Sequence, residues 1–518
     1  MTDKTIIIGA GHNGLVCAAY LAKAGRDVLV LEAADQVGGA AVTREFAPGC
    51  NVSAAAHLLY ALDPQISKAL GLEQHGLKLA ATNMNTVSLA QDGNHLVISG
   101  AEVSGAGISA EDQASLKKYR RLMDKFAALM GKFNQKAIPR INPDSYADLW
   151  GLAKLAVPVR LLGKKDMEEF LRLAAINIFD AMQEYFDHPM LKGALALDAV
   201  LGTNLGTRSN NSVFTALQRA SSNFGGAQGA VCQPHGGMGA VTAALAKAAE
   251  ANGAEIRTST PVASIVMDSG RATGVILEDG SQIDAACVVS NADPKTTFLG
   301  LVGARNVEAG FVQKISNLRA RGNVAKLHLL LNGAPSFNGV NEGQLGQRLV
   351  IAPSMEYIEH AFNSAKYGEY SENPAMEISV PTIADPSLAP AGNHVLSVVV
   401  QYAPLELKGG WDAGRQGFMD RCMTVLEQYA PGIRAQVEHS ELLTAVDIER
   451  EFRITGGHWH HAELALDQAL MLRPVPGAAQ YKTPVEGLFL CGAGAHPGGG
   501  VMGNAGKNAA NAILGNKS

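Results

Sequence analysis

Gly9-Ala10-Gly11-His12-Asn13-Gly14 sets three glycines at the spacing by which a peptide backbone wraps a pyrophosphate. The first glycine allows a tight turn, the second lets phosphate approach the main chain, and the third lets a helix pack closely on a strand. Glu32 follows at the end of a second apolar run. A carboxylate there accepts hydrogen bonds from ribose hydroxyls and repels a 2′-phosphate, so NADP is disfavoured. A second pair, Gly38-Gly39, comes just after Glu32. An NAD half-site has no need of it, whereas FAD is longer and its ribityl-pyrophosphate must pass a further turn of backbone. The other polar concentration is Gly456-Gly457-His458-Trp459-His460-His461-Ala462-Glu463. Adjacent histidines without a carboxylate at helical spacing rarely close a metal site, so no metal is expected. His461 is the candidate catalytic group, as a proton acceptor beside the cofactor; a histidine hydrogen-bonded to backbone under the glycine turn is the alternative reading. The six cysteines lie singly at 17, 50, 232, 287, 422 and 491, with no C-x-x-C, which removes zinc and dithiol redox chemistry. No P-loop, G-x-S-x-G or H-E-x-x-H occurs, so phosphotransfer and hydrolysis have no foothold.

The glycines must be carried by elements. Ile6-Ile7-Ile8 reads as a buried parallel strand, Leu15 to Ala24 as an alanine-rich helix ending at Gly25, and Val28 to Leu31 as a second strand. Together they make a βαβ half-unit with the glycines at its turn, where the helix N-terminus offers free N–H groups to phosphate. A second α/β block starts at His235-Gly236-Gly237-Met238-Gly239, with a helix from Ala240 to Ala251. Strand patterns follow over 255–258, 262–267, 274–277 and 283–291, with a hairpin turn at Asp279-Gly280. A third block runs from the strand-like Gly487-Leu488-Phe489-Leu490 through Gly492-Ala493-Gly494 to a helix over 504–514.

These three blocks, "GAGHNGLVCAAYLAKAGRDVLVLEAADQVGGAAVT", "HGGMGAVTAALAKAAEANGAEIRTSTPVASI" and "GLFLCGAGAHPGGGVMGNAGKNAANAIL", resemble the FAD-binding segments of phytoene-desaturase-type flavoproteins, within the amine-oxidase-like class. Through "HAELALDQALMLRPVPG" and "CGAGAHPGGGVMG" the chain most resembles the subfamily called pyridine nucleotide-disulphide oxidoreductase domain-containing protein 2. The resemblance implies an α/β fold: a Rossmann-type FAD-binding domain with a discontinuous α+β substrate domain. It implies that Gly9, Ala10, Gly11, His12, Asn13 and Gly14 wrap the pyrophosphate, and that Glu32 and Ala33 face the ribose. Gly38, Gly39 and Ala40 would line the ribityl path, Val262 the adenine, and Gly492, Ala493, Val501 and Met502 the isoalloxazine. Many relatives carry arginine where this chain has Ala40, so its work on the phosphates must be done otherwise here. The implied reaction is hydride transfer from a C–H of an apolar or isoprenoid-like small molecule to flavin N5, the acceptor of the electrons being open. A redox-neutral double-bond isomerase, or a non-catalytic FAD-stabilised docking protein, are the alternatives.

The expected FAD-binding domain comprises residues 1–80, 225–300 and 480–518, and the substrate domain 81–224 and 301–479, with a helical lid or a membrane- or subunit-facing region near 111–208. Leu116, Tyr119, Met123, Phe126, Met130 and Phe133 recur on one helical face, which reads as a core stripe. Trp150 to Leu162 is almost continuously apolar and basic-flanked, too short to span a membrane. Interior or subunit packing is its first reading, and contact with an anionic membrane surface the second. The strand-like runs 326–331, 376–383 and 394–402 imply a second sheet. Across 518 residues, 47% are apolar and 18% charged, as in a globular protein with a sizeable core, and 43 basic against 48 acidic residues give −5. With no polybasic block, nucleic acid is not an expected partner. Single cysteines and the lack of a leader point to a reduced, cytoplasmic setting, if need be peripheral to a membrane.

Overall fold

The computed structural model describes residues 4–140 and 146–515. One of its two large sheets is five-stranded and parallel, in the order Glu255–Arg257, Asp27–Leu31, Lys4–Ile8, Cys287–Ser290, Leu488–Leu490. The central strands are apolar runs because both faces are covered, and Ile6, Ile7, Val30 and Val289 are wholly buried. Helix His12–Lys23 packs between helices Gly239–Ala251 and Asn504–Leu514. Small residues let these helices meet: a Cβ on Gly506 would overlap the Asn13 carbonyl oxygen.

One expected strand, 283–291, is two. Gln282–Asp284 closes a three-stranded antiparallel sheet with Val262–Asp268 and Arg271–Leu277, while Cys287–Ser290 enters the parallel sheet. Between them the Ala285 N–H still bonds the Thr273 carbonyl and the Ala286 N–H already bonds that of Lys4, so the chain changes sheets within two residues. A continuous β pattern gives no sign of that step.

The second large sheet has eight strands, in the order Val437–Leu443, Val324–Leu331, His394–Gln401, Ala375–Ser379, Arg348–Ile351, Thr86–Ser88, Leu96–Ser99, Glu102–Gly105. Neighbours are antiparallel except Arg348–Ile351 with Thr86–Ser88. The three runs read from sequence stand second to fourth in it, though the run 376–383 is a strand only to Ser379 and becomes a helical turn at Pro381–Ala384, and five shorter or less apolar strands complete the sheet. One face is covered by helix Trp411–Tyr429, whose Trp411, Phe418, Cys422 and Leu426 pack on Leu327, Leu329, Val398 and Val400. Beside the other face lies a helical layer led by Ala110–Asn134, N-capped by Ser109. Its stripe faces the core as expected, with Leu116, Tyr119, Met123, Phe126, Met130 and Phe133 buried.

Helix Tyr146–Arg160 runs through Pro158 and stops two residues later. Interior packing holds for only one of its sides: Leu155, Val159 and the following Leu162 touch the helical core, but Leu149, Trp150, Val157 and Leu161 are exposed. The expectation of a buried element came from apolar content alone, which does not tell which side has a neighbour. Among the described residues no helix is long and apolar enough to cross a membrane.

Candidate active site

A cleft of about 770 Å³ is lined by residues from both large sheets and the loops beside them. On the nucleotide side it is lined by Gly9, Gly11, His12, Asn13, Glu32, Ala33, Gly38, Gly39, Ala40, Val262, Ala493 and Val501, and His461 joins them. Of the residues singled out by sequence, Ala10, Gly14, Gly492 and Met502 stand behind this wall and support it. The Ala10 N–H donates to Glu32 Oε2 at 2.6 Å, while the Ala34 N–H donates to Oε1 at 2.9 Å. Gly14 brings the helix so near the strand that a Cβ would overlap the Gly9 carbonyl oxygen, and one on Gly492 would overlap that of Asn291. The Met502 carbonyl accepts from the Asp63 N–H at 3.1 Å.

The two glycine turns are one construction. The Gly38 N–H donates to the Ala10 carbonyl at 3.0 Å, and a Cβ on Gly39 would sit 3.6 Å from Gly11 Cα. Gly38, at φ 128°, holds a conformation that L side chains rarely adopt.

The residues fit FAD on two observations. Helix His12–Lys23 begins at Gly11 with no side-chain cap and no acid in its first turn, leaving N–H donors and a positive dipole end at the cleft. Beside it His12 Nε2 and both side-chain polar atoms of Asn13 are buried without a partner, which suits an anion with many acceptor oxygens. Arg44, which lines the cleft four residues after the position of the missing arginine, is held by Glu441 at 3.0 Å and Glu451 at 2.8 Å, so two carboxylates already neutralise it.

His461 sits at φ 61°, in the left-handed region, with Nδ1 unpartnered. Burial pushes it down to about 4, against the pull of Asp293 and with help from Arg473, so it is neutral at physiological pH. His12 is brought to about 3, first by burial and then because its proton would compete with one on neighbouring His461. His458 is likewise held at about 3, first by burial and then by Arg473. This loop hangs on one cation that sequence reading passed over. Arg473, wholly buried, donates to the carbonyls of His460, Ala462, Glu463, Gln468 and Ala493, tying the histidine loop to the third glycine block.

The opposite wall was also missed. His57, Tyr60, Arg219, Glu377 and Val399 line the cleft from the eight-stranded sheet and its neighbours. Glu377 accepts from His57 Nε2 at 3.0 Å, from Arg219 at 2.9 Å, and from Arg348. Asp198 accepts from Arg348 at 2.6 Å and lies 3.3 Å from Arg219, whose guanidinium stacks 4.1 Å above the Tyr60 ring. Lys326, wholly buried, meets His57 Nδ1. Burial alone would raise the Glu377 carboxyl, but Arg348, Arg219 and His57 hold it well below the usual carboxylate range. Burial drives Lys326 well below an ordinary lysine, and His57 to about 4. The two guanidiniums, Arg219 and Arg348, and the two carboxylates, Glu377 and Asp198, pair with one another inside the wall. The sequence signal was present in Val324-Ala325-Lys326-Leu327 and Ala375-Met376-Glu377-Ile378: lone charges inside otherwise apolar strands.

The sequence pattern describing the flavin containing amine oxidoreductases matches residues 14–514. The chain is 34% identical to pyridine nucleotide-disulfide oxidoreductase domain-containing protein 2 of Rattus norvegicus, over 98% of this chain and 93% of that one. It is 28% identical to a limonene dehydrogenase chain of Castellaniella defragrans, over 98% and 94%. In fold it is similar to the crystal structure of an oxidoreductase from Methanosarcina mazei, at TM-score 0.62 and 20% identity, with 99% of this chain and 100% of that one covered.

Proposed function

The chain belongs to the flavin-containing amine oxidoreductase family and its cofactor is FAD; on that premise we propose that it dehydrogenates a C–H bond of an isoprenoid-like substrate that carries a polar group. The observation behind this reading is the cleft lined by the glycine turns on one side and by the eight-stranded sheet on the other. When bound, FAD supplies a hydride acceptor at N5 of its ring system.

The chain's own residues supply the rest. The uncapped helix start and Gly38-Gly39 hold the phosphates and the ribityl, and Glu32 holds the ribose. Leu58, Leu201, Val399 and Trp459 give the substrate an apolar, water-poor bed. Arg219 and Tyr60 orient a hydroxyl or carbonyl on it, and because Asp198 and Glu377 already pair with Arg219, an uncharged group is favoured over an acid. His461, neutral and with Nδ1 free, is in the state to accept the proton that dehydrogenation releases. Similarity to the limonene dehydrogenase of Castellaniella defragrans supports the isoprenoid-like class.

The test is to purify the protein with its flavin and mix it anaerobically with terpenoid alcohols, aldehydes and hydrocarbons while following flavin absorbance. Bleaching by one class, with stoichiometric oxidised product, is the expected result. Product formed under the same conditions with no net acceptor consumed would make it a redox-neutral isomerase, and a flavin that no candidate reduces would overturn the reading.

A further inference from the structure

Helix Tyr146–Arg160 is apolar on two opposite sides. Leu155, Val159 and Leu162 pack inward, whereas Trp150, Lys154, Val157 and Leu161, at steps of four, three and four, form one stripe facing out. Trp150 is 66% exposed, Val157 51% and Leu161 80%, with Leu149 beside them at 52%. Eight large hydrophobic side chains are exposed among the described residues, and five of them, these four and Leu171, fall in this region. A helix that is apolar all round ordinarily lies inside a protein, so the outer stripe is a surface made to be covered.

Charge identifies the cover. Lys154, Arg160, Lys164 and Lys165 are exposed around the stripe, and none has an ion-pair partner among the described residues. Of the nearby acids whose side chains are described, Asp166 pairs with Lys125, and Glu169 pairs with Arg172 at 2.7 Å while also feeling Lys165, which leaves Glu168. This cluster of unpaired cations stands on a chain whose net charge is −5. A second copy docked through the same face about a two-fold axis would bring like charges together. We propose that this face docks on an anionic lipid surface, the helix lying flat with Trp150, Val157 and Leu161 among the acyl chains and the four cations at the headgroups.

Flotation of the FAD-loaded protein with phosphatidylcholine vesicles, with and without one-quarter phosphatidylglycerol, tests it. Binding is expected only to the anionic vesicles, and it should fall as salt rises. Lys164→Gln and Lys165→Gln should each weaken binding roughly fivefold, the worth of one basic residue near such a surface. Trp150→Glu with Leu161→Glu should abolish it while flavin absorbance and melting temperature stay normal, both side chains being exposed. Absence of binding to either vesicle would overturn the proposal. So would a concentration-dependent dimer that the Trp150→Glu, Leu161→Glu protein loses.

Discussion

Glu32 is gripped from two sides by backbone N–H groups of Ala10 and Ala34, so its carboxylate braces the first glycine turn against the strand after it, and in the function proposed it also accepts from the ribose. Glu32→Ala therefore removes a charge-assisted bond to the cofactor and loosens the turn. A loss of FAD affinity on the order of 1.5–3 kcal/mol is expected in a fluorescence titration of the apoprotein. Unchanged affinity would place the ribose elsewhere. His461 offers a sharper choice. If it accepts the substrate proton, His461→Ala should retain FAD yet reduce it roughly 10²–10⁴-fold more slowly, the usual worth of a general base. A purely structural histidine would instead lose melting temperature and flavin together, with a normal anaerobic rate per bound flavin. Its left-handed backbone and unpartnered Nδ1 describe a side chain set by its loop, and that loop is held by Arg473.

At the scale of the element, Gly11 and Gly14 can be separated experimentally although sequence treats them as one motif. Gly11 has φ −66°, which any residue adopts, and an added Cβ would meet only the amide tip of Asn291 at 2.8 Å. Gly14 has no such room, because the neighbour is the main chain of Gly9. Gly11→Ala should thus fold with near-normal melting temperature but bind FAD poorly, whereas Gly14→Ala should be destabilised by roughly 1–3 kcal/mol before any cofactor is added. Equal melting temperatures for the two apoproteins would contradict the packing described. Sequence revealed the glycine turns, the helices behind them and the middle of the second sheet, because each shows in local periodicity or in residues with a single conformational use. It did not reveal the Lys326, His57 and Glu377 wall, since those groups come from separate strands and a loop and become a site only through pairing hundreds of residues apart. The apolar stripe of Tyr146–Arg160 failed in the opposite direction: the pattern was legible, its neighbours were not.

Across the whole molecule, the buried histidines make stability a function of pH. His57, His461 and His496 are held at about 4 and His458 at about 3, all chiefly by burial. Unfolded, each would titrate near 6.5, so below that pH the unfolded chain binds protons that the folded one refuses. Their stabilising effect is complete above about pH 6.5 and is lost as pH falls toward 4, at roughly 1.4 kcal/mol per pH unit for each histidine. Melting temperature should be flat from neutral pH upward and drop steeply between 6.5 and 4. A flat profile through that range would mean that these rings are protonated in the folded protein.

The parallel sheet has one more consequence, in the order of synthesis. Its edge strand is Leu488–Leu490, and the helix that packs on His12–Lys23 is Asn504–Leu514, so the first turn of the chain waits for almost the last. The glycine turn is made early and its strand neighbours arrive by Ser290, but the helix that covers the second side of His12–Lys23 comes some 490 residues after the turn. Flavin loading is therefore a late event on the ribosome's clock, and a nascent chain stalled before Leu488 should carry none, however complete its glycine turns. Until then the apolar strand Cys287–Ser290 lacks its outer partner and helix His12–Lys23 one of its two packing partners, and FAD supply during expression should set how much of the chain ends up native.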